Sequence, residues 1–386
     1  MNILFLLRLW PVYGGGETVT ICLANEMVRR GYNVHILYFK YNSRENLPFI
    51  DGRISCQLVE GVACDERYAA ETDADKARAY LKKYINIHGI THVIDQWWSV
   101  SYIKDIREEC GVKMYKCLHQ SLFVPKFDAN DFKAKIKRVL RPIYLRYKKS
   151  SVIKRTSDFF PHVDKYIFLS PAFQYQFEEL AHYKNKGKLD SIPNPLVFER
   201  SITKEEFEKK ENVVLIVARM YESQKRITAA LYIWKAIEEN PILLDWRLQI
   251  VGVGRDLEMY KSLSQELKLK RVTFEGFQYP VPYYIKSKIF LMTSYFEGFP
   301  MALIESIQMG VVPVVMDSFL SLHDIIQDGF NGYITPNADI ESFVKKLESL
   351  MLCEEKRLMM ARNGIMSCKK FNIVDVVDQW VKLFNE

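Results

Sequence analysis

The 386-residue chain has 54 lysines and arginines against 47 aspartates and glutamates, and 48% of its residues are apolar. This composition indicates a folded globular protein with enough material for two domains and argues against a disordered chain. The net charge of +7 is too small by itself to indicate a nucleic-acid-binding protein. The seven cysteines are scattered and include no Cys-x-x-Cys pair, which favours reduced thiols in the cytoplasm over disulfides or a zinc site.

The first half of the chain alternates predicted strands with predicted helices. An apolar run at residues 3–7 is too short for a signal peptide or a membrane span and is predicted to be a strand. The glycines of residues 14–16 form a loop that opens a helix over residues 17–30. Further strands are predicted at residues 34–39, 91–94, 113–118 and 166–169. Such an alternation predicts a parallel sheet covered on both faces, with ligands at the carboxyl ends of its strands.

The second half repeats the alternation. Residues 191–195 read as a linker, residues 202–211 as a charged helix, and residues 374–384 as an amphipathic helix. Strands are predicted at residues 213–218, 248–251, 272–274, 289–291 and 312–315. We therefore predict an α/β protein with one Rossmann-like domain in residues 1–193 and another in residues 194–371.

The most informative segment runs from Glu297 to Glu305. An apolar strand precedes it, Gly298 and Pro300 mark a turn, and residues 302–309 favour a helix that Gly310 ends. A strand-to-helix turn directs free backbone N–H groups and the positive end of the helix dipole at a phosphate. Two flanking carboxylates can accept hydrogen bonds from hydroxyl groups, which indicates a phosphorylated sugar as the ligand.

Residues 295–315, followed by Asp328-Gly-Phe-Asn-Gly332, resemble the core signature of family 4 glycosyltransferases. The resemblance implies the GT-B architecture, in which two Rossmann-like domains face each other across a cleft and the C-terminal helix, here residues 372–386, packs on the first domain. It also implies that Glu297 binds hydroxyls of the donor sugar and that Glu305 binds the ribose. The backbone amides of residues 298–301 (Gly298, Phe299, Pro300 and Met301) would then face the diphosphate.

The same resemblance implies roles for residues outside this segment. Arg219 and Lys225 follow a strand and can neutralise a diphosphate leaving group without metal; they resemble the Arg and Lys pair of the family, although Arg226 stands where a glycine usually follows the lysine. His119, just past the strand of residues 113–118, resembles the histidine near the transferred sugar. Glycine loops and a nucleotide-base turn complete the expected donor site, with Gly15, Gly16, Gly252, Gly254 and Phe277 as its residues.

A basic segment lies between Phe132 and Ser157. Residues 133–155 contain ten lysines and arginines and no acidic residue, interleaved with apolar and aromatic side chains. A segment of one sign indicates an anionic partner, and we predict an anionic membrane surface rather than nucleic acid, for which no reading motif is present. The protein is accordingly expected in the cytoplasm, peripheral on the inner face of the membrane.

We therefore expect a retaining hexosyltransferase that uses a UDP- or GDP-linked sugar and a glycan or lipid-linked acceptor, in surface polysaccharide biosynthesis. Neither a cofactor nor a metal is expected, because the one Asp-x-Asp motif, Asp73-Ala-Asp75, lies in a polar helical stretch. Other GT-B enzymes, such as an epimerase or a polymerase, remain alternatives. A catalytically silent sugar-nucleotide-binding protein and a basic nucleic-acid-binding module are further ones.

Overall fold

The computed structural model describes residues 1–10, 15–41, 49–63, 71–119, 121–122, 141–183, 186–198 and 200–386. They form two compact units. Unit 1 contains the described residues up to Val197 together with the chain from Phe371 onward, and unit 2 contains those from Phe198 to Lys370. Gly14 and residues 133–140 of the basic segment lie outside the described residues.

Unit 1 is built on a parallel sheet, seven-stranded in its described residues, with the order β3-β2-β1-β4-β5-β6-β7. The strands are β1 (Asn2–Trp10), β2 (Asn33–Tyr41), β3 (Ser55–Leu58), β4 (His92–Asp95), β5 (Lys113–Leu118), β6 (Lys165–Phe168) and β7 (Leu189–Ser191). The helices are α1 (Gly15–Arg29), α2 (Glu71–His88), α3 (Val100–Ile103), α4 (Ile106–Cys110), α5 (Arg141–Ser157) and α6 (Pro171–Ala181).

Unit 2 has a second parallel sheet, six-stranded in its described residues, with the order β10-β9-β8-β11-β12-β13. Its strands are β8 (Glu211–Val217), β9 (Arg247–Val251), β10 (Val272–Gly276), β11 (Ser287–Met292), β12 (Val312–Met316) and β13 (Tyr333–Thr335). The helices are α7 (Lys204–Glu208), α8 (Glu222–Lys225), α9 (Ile227–Glu239), α10 (Leu257–Glu266), α11 (Val281–Lys286), α12 (Met301–Gln308), α13 (Leu322–Ile325), α14 (Ile340–Leu352) and α15 (Glu354–Ser367). In the described residues, the order of these six strands matches that of β3 to β6 in the sheet of unit 1, where β7 adds a seventh strand.

The inner strands are largely buried because helices cover both faces of each sheet. Every residue of β4 and of β12 is buried. Capping residues determine where several helices begin. Ser170 accepts a hydrogen bond from the Ala172 amide at the start of α6, and Thr203 and Glu206 form a capping box at the start of α7. The predicted α/β class with two Rossmann-like halves is confirmed.

Residues 191–195, which we predicted to be the linker, lie within unit 1 just before the chain enters unit 2. Ile192 is buried, and its amide extends the pairing of β7 by donating to the carbonyl of Phe168. Leu196 then donates to the carbonyl of Phe371, and the chain enters unit 2 only after Val197. The segment that precedes unit 2 is thus packed within unit 1.

The C-terminal helix α16 (Ile373–Phe384) packs against α1 in unit 1. Its buried face contains residues at helical spacing: Val376, Val377, Trp380, Leu383 and Phe384. None of the helices within the described ranges is both long and apolar enough to cross a bilayer.

In both sheets the direction of strand addition reverses at one point, between β1 and β4 in unit 1 and between β8 and β11 in unit 2. In open parallel sheets such a reversal leaves a crevice at the carboxyl ends of the strands, where ligands bind. The fold therefore directs attention to the loops that follow these four strands.

Candidate functional site

Lys225 and Glu297 meet at the strand reversal of unit 2. Lys225 ends α8, which follows β8, and Glu297 lies in the loop between β11 and α12. The Lys225 Nζ is 2.6 Å from the Glu297 Oε1, and the two side chains are only 16% and 7% exposed. A nearly buried ion pair with no further role is weak evidence for stability. Its position at the carboxyl ends of β8 and β11 instead indicates a binding function.

Backbone contacts hold this pair in place. The amide of Tyr295 donates to the carbonyl of Gln224, at 2.6 Å, and the Thr293 hydroxyl donates to the carbonyl of Lys225. The Gln224 side-chain amide also donates to the second oxygen of Glu297, at 3.3 Å. Both oxygens of Glu297 therefore have protein partners, and the loops after β8 and β11 are joined at the point where the two charges meet.

The hydrogen bonds of the Arg226 side chain explain how a residue other than glycine can follow Lys225. It adopts a left-handed conformation with φ of +47°, which non-glycine residues rarely accept. Its guanidinium donates to the carbonyls of Thr293 and Ser294 and to the Asn337 side chain. These bonds offset the backbone strain. The guanidinium is therefore held by the protein itself.

The turn before α12 lies where the sequence predicts it. Pro300 is the N-cap residue, Phe299 is buried, and the helix begins at Met301. The Ser321 hydroxyl donates to the carbonyl of Gly298, at 2.6 Å, which fixes the turn from its other side. Proline has no N–H group, so of residues 298–301 only the other three can donate to a phosphate.

Glu305 lies on α12 and is partly buried. Burial raises the pKa of its carboxyl to about 7, and the hydrogen bond from the Tyr284 hydroxyl, at 3.0 Å, acts in the opposite direction. Near neutral pH the side chain therefore exists in both forms. The ionised form only accepts hydrogen bonds, whereas the protonated form also donates one, and a ribose hydroxyl can pair with either.

Arg219, Gly252 and Gly254 lie in adjacent loops. Arg219 is exposed in the loop after β8, and within the described part of the chain its guanidinium has no ion-pair partner. A Cβ on Gly252 would lie 1.9 Å from the Ala218 carbonyl oxygen, and one on Gly254 would lie 2.4 Å from that of Met220. Both positions therefore require glycine, because the neighbouring backbone leaves no room for a Cβ. From the sequence alone, these glycines are explained only by the binding of the donor.

Phe277 follows β10, at the next loop along the same edge of the sheet. It is 46% exposed, and the preceding Gly276 has φ of +71° with no atom near its missing Cβ. Gly276 therefore serves to turn the chain, and Phe277 follows this turn at the carboxyl edge of the sheet.

In unit 1, Trp97 lies next to both Gly16 and His119, and no role is predicted for it from the sequence. The Trp97 ring stacks on the His119 ring, with centroids 5.2 Å apart and planes inclined by 27°. A Cβ on Gly16 would lie 3.2 Å from the Trp97 ring. Burial, assisted by the nearby charge of Lys116, lowers the pKa of His119 to about 4, so the imidazole is neutral at pH 7. Gly15 begins α1 beside them.

The Asp73 and Asp75 motif lies on α2, where Asp75 pairs with Arg78. No group of three or more histidine, cysteine, aspartate or glutamate side chains in the described ranges has the arrangement of a metal site.

Two side chains that contact the predicted residues of unit 2 carry little signal in the sequence. Tyr284 and Gln224 reach Glu305 and Glu297 from segments 21 and 73 residues away, and no local pattern reports such contacts. Trp97 could have been found, because Gln96-Trp97-Trp98 directly follows a predicted strand, where ligand-binding side chains concentrate.

Comparison with known proteins agrees with this geometry. Residues 197–366 match the family model described as glycosyl transferases group 1. The GalNAc-alpha-(1->4)-GalNAc-alpha-(1->3)-diNAcBac-PP-undecaprenol alpha-1,4-N-acetyl-D-galactosaminyltransferase of Campylobacter jejuni is 26% identical over 383 residues, 97% of this chain and 95% of that protein.

Two solved structures show the same fold. Sucrose-phosphate synthase from Thermosynechococcus elongatus has a TM-score of 0.79 at 17% identity, over 100% of this chain and 98% of that one. Anabaena HepE in complex with UDP has a TM-score of 0.73 at 16% identity, over 100% of both chains. These similarities identify the chain as a glycosyltransferase with the GT-B fold, and the match to the group 1 model falls on unit 2.

Proposed function

We propose that this glycosyltransferase is a retaining, metal-independent enzyme of family 4. It moves a hexose-type sugar from a UDP- or GDP-linked donor to a lipid-linked or glycan acceptor in surface polysaccharide biosynthesis. The observation that carries the proposal is the Lys225 and Glu297 pair at the strand reversal of unit 2. The UDP bound to HepE and the undecaprenol-linked substrate in the name of the Campylobacter relative favour UDP and a lipid-linked acceptor.

Each charge has a separate task in this proposal. Lys225 and the exposed Arg219 stabilise the negative charge that develops on the departing diphosphate, together with the N–H groups that begin α12. Glu297 accepts hydrogen bonds from hydroxyls of the transferred sugar, and Glu305 from the ribose. When the donor enters, the Lys225 ammonium turns from Glu297 to the phosphate, so the ion pair keeps both groups oriented beforehand.

Retention requires that the acceptor attack from the face that the diphosphate leaves. The bond between the anomeric carbon and the phosphate oxygen breaks, the acceptor oxygen bonds to that carbon, and the acceptor proton passes to the departing phosphate oxygen. No strong protein base is needed for this step, which agrees with the neutral His119 and the charge-stabilising character of the site. Trapping of a glycosyl group on a carboxylate of the protein, detected by mass spectrometry, would contradict this route.

The activity is tested with a panel of UDP- and GDP-sugars. The correct donor is expected to raise the unfolding temperature, since a ligand at 100 times its Kd stabilises the native state by about 2.7 kcal/mol. With lipid-linked acceptors, NMR of the product reports whether the anomeric configuration is kept. A donor that binds without transfer would indicate a silent binding protein, and sugar conversion without acceptor would indicate an epimerase.

Substitutions test whether activity depends on the Lys225 and Glu297 pair and not on other ion pairs of unit 2. Lys225→Met removes charge stabilisation at the leaving group, and Glu297→Gln weakens the acceptor of the sugar hydroxyls. Each is expected to lower the transfer rate by about 100-fold or more. Lys261→Met and Glu258→Gln remove a comparable but exposed ion pair on α10 and are expected to transfer at the wild-type rate. Equal activity of the two sets would contradict the assignment of the site.

The basic helix α5 is proposed to dock on an anionic membrane surface. Ile143 and Tyr147 are 67% and 68% exposed, and their spacing of four places them on one face of the helix, beside the exposed Arg146 and Lys149. Each basic residue near such a surface contributes about 1 kcal/mol. An amphipathic stripe of this kind fits a surface-bound helix.

Sedimentation with vesicles tests the docking. Arg146→Glu with Lys149→Glu is expected to abolish binding to vesicles that contain phosphatidylglycerol. Lys268→Glu with Lys270→Glu, an equal change of charge at exposed positions of unit 2, is expected to retain it. Binding to duplex DNA in preference to these vesicles would contradict the proposal.

A further inference from the structure

Three buried nitrogen atoms in unit 1 have no hydrogen-bond partner in the described part of the chain. They are the Trp97 Nε1 and both ring nitrogens of His119, and the two rings are stacked on each other. Buried polar atoms are paired in the great majority of cases, and each exception requires an explanation. Three exceptions in two adjacent rings indicate a place where a ligand supplies the missing partners.

Loose packing does not explain them, because the surrounding polar groups are paired. Asp95 accepts from the Trp98 amide at 2.8 Å and from the Lys116 Nζ at 3.0 Å. Lys116 also donates to the Trp98 carbonyl at 2.8 Å, and the Thr20 hydroxyl is 2.7 Å from the Gln96 Oε1. The loop after β4 is thus firmly held, and the unpaired atoms are confined to the Trp97 and His119 side chains.

The position of these two side chains is that of a ligand site. Gly16 follows β1 and Trp97 follows β4, so they lie on either side of the strand reversal of unit 1, and His119 follows β5. Gly16 leaves room for the Trp97 ring. The unpaired atoms therefore lie at the carboxyl edge of the sheet, where the fold forms its crevice.

The chemistry of the atoms selects a neutral partner. The indole N–H only donates, and an imidazole that is neutral at pH 7 donates from one nitrogen and accepts at the other. The nearest cation, Lys116, is already paired with the buried Asp95. Two donors and one acceptor without net charge suit hydroxyl groups, and they do not suit a phosphate.

We propose that Trp97 is a sugar-binding residue of this enzyme, whose indole N–H donates a hydrogen bond to a hydroxyl group of a sugar beside His119. The inference rests on the proposed function, since a glycosyltransferase handles a sugar on its donor and a sugar on its acceptor. Both sources carry the same hydroxyl chemistry. The experiment distinguishes them.

Trp97→Phe keeps an aromatic ring against His119 and removes the N–H group. Three quantities are compared with the wild-type protein: the Kd of UDP, the Kd of the UDP-sugar that the donor panel selects, and the KM of the acceptor that supports transfer. We expect UDP to bind equally well. Either the UDP-sugar Kd or the acceptor KM is expected to rise about tenfold, which corresponds to about 1.4 kcal/mol. The quantity that rises identifies the sugar that is bound.

Trp98→Phe is the matched control in the next residue. Its Nε1 donates to the Leu7 carbonyl at 2.8 Å and its side chain is fully buried, so its loss is expected to lower the unfolding temperature. Trp97→Phe is expected to leave that temperature unchanged or slightly higher, because it removes an unpaired buried donor.

Unchanged values of all three quantities in Trp97→Phe would overturn the inference, and so would a loss of stability equal to that of Trp98→Phe. In either case an active wild-type enzyme leaves the proposed function intact. A wild-type protein that binds no nucleotide sugar would instead contradict the proposed function itself.

Discussion

Glu305 is the residue whose chemistry depends most strongly on its surroundings. In water a glutamate is ionised at neutral pH, but burial on α12 raises the pKa of this carboxyl to about 7. The Tyr284 hydroxyl bond opposes the shift without cancelling it. The carboxyl is thus partly protonated and partly ionised near neutral pH.

A pH dependence of stability follows from this shift. Between pH 4.5, the ordinary pKa of the group, and pH 7, the folded protein binds a proton that the unfolded chain has lost. The contribution of Glu305 to the free energy of unfolding is therefore complete below pH 4.5 and is lost as the pH rises to 7. The slope of this loss can reach about 1.4 kcal/mol per pH unit.

Urea unfolding of the wild type and of Glu305→Gln at a series of pH values measures this contribution, because the other titrating groups cancel in the difference. We expect the stability of the wild type relative to the variant to fall as the pH rises through this window. A difference that is constant with pH, or that grows with pH, would contradict the raised pKa.

Residue-scale sequence reasoning predicts where a residue lies in the fold when that position depends on local spacing. Glu297 was placed correctly because the strand, the turn glycine and proline, and the helix are consecutive in the chain. The bond of Lys225 to Glu297 spans 72 residues and could not be derived in this way. The hydrogen bonds of the Arg226 guanidinium also join residues that are at least 67 positions apart in the sequence. No local pattern could therefore explain why an arginine stands in place of the usual glycine.

At the scale of the elements, backbone hydrogen bonds extend the pairing of β8, β9 and β10 into the loops that follow these strands. Ala218 donates to the Val251 carbonyl, Met220 to that of Val253, and Gly252 to that of Gly276. Hydrogen bonding beyond the strand ends keeps these loops as ordered as the strands. The loop that carries Arg219 is consequently part of a rigid edge.

Gly252→Ala is expected to break this continuation. The new Cβ would lie 1.9 Å from the Ala218 carbonyl oxygen, at a φ of +137° that alanine rarely adopts. We expect a loss of about 3 kcal/mol or more in the free energy of unfolding. Gly329→Ala, with φ of +78° and open space around it, carries only the backbone penalty of about 1 kcal/mol. Equal losses in denaturant unfolding would show that the close approach does not matter.

The strands that the sequence failed to predict share one physical property. Strands β3, β7 and β13 are three or four residues long and lie at the edges of their sheets. A central strand is buried on both faces and reads as an apolar run, whereas β3 is largely exposed and has no such run. Edge pairing depends on the neighbouring strand, which a local pattern does not report.

At the scale of the whole molecule, the two units are not two consecutive stretches of chain. The chain leaves unit 1 after Val197, builds unit 2, and returns at Phe371 to complete unit 1 with α16. Arg30 pairs with Asp378, and the His92 ring approaches the Phe384 carbonyl at 3.3 Å. Unit 1 therefore depends on the last residues of the chain, whereas unit 2 has all its described elements within one continuous stretch.

Trp380→Ala tests this dependence. The Trp380 side chain is 4% exposed and its ring lies edge-on to Tyr115, a residue of β5. Truncation of such a buried aromatic side chain costs about 3 to 5 kcal/mol. Hydrogen exchange should accelerate in peptides from residues 1–122 and 141–197 and remain unchanged in peptides from residues 200–370.

Val374→Ala, at an exposed position of the same helix, is expected to leave exchange unchanged in both units. The comparison is informative because both variants shorten an apolar side chain of α16, and only one of them is packed against the sheet of unit 1. If Trp380→Ala accelerated exchange equally throughout the chain, the two units would unfold as one cooperative body. The C-terminal helix would then stabilise the whole molecule and not unit 1 alone.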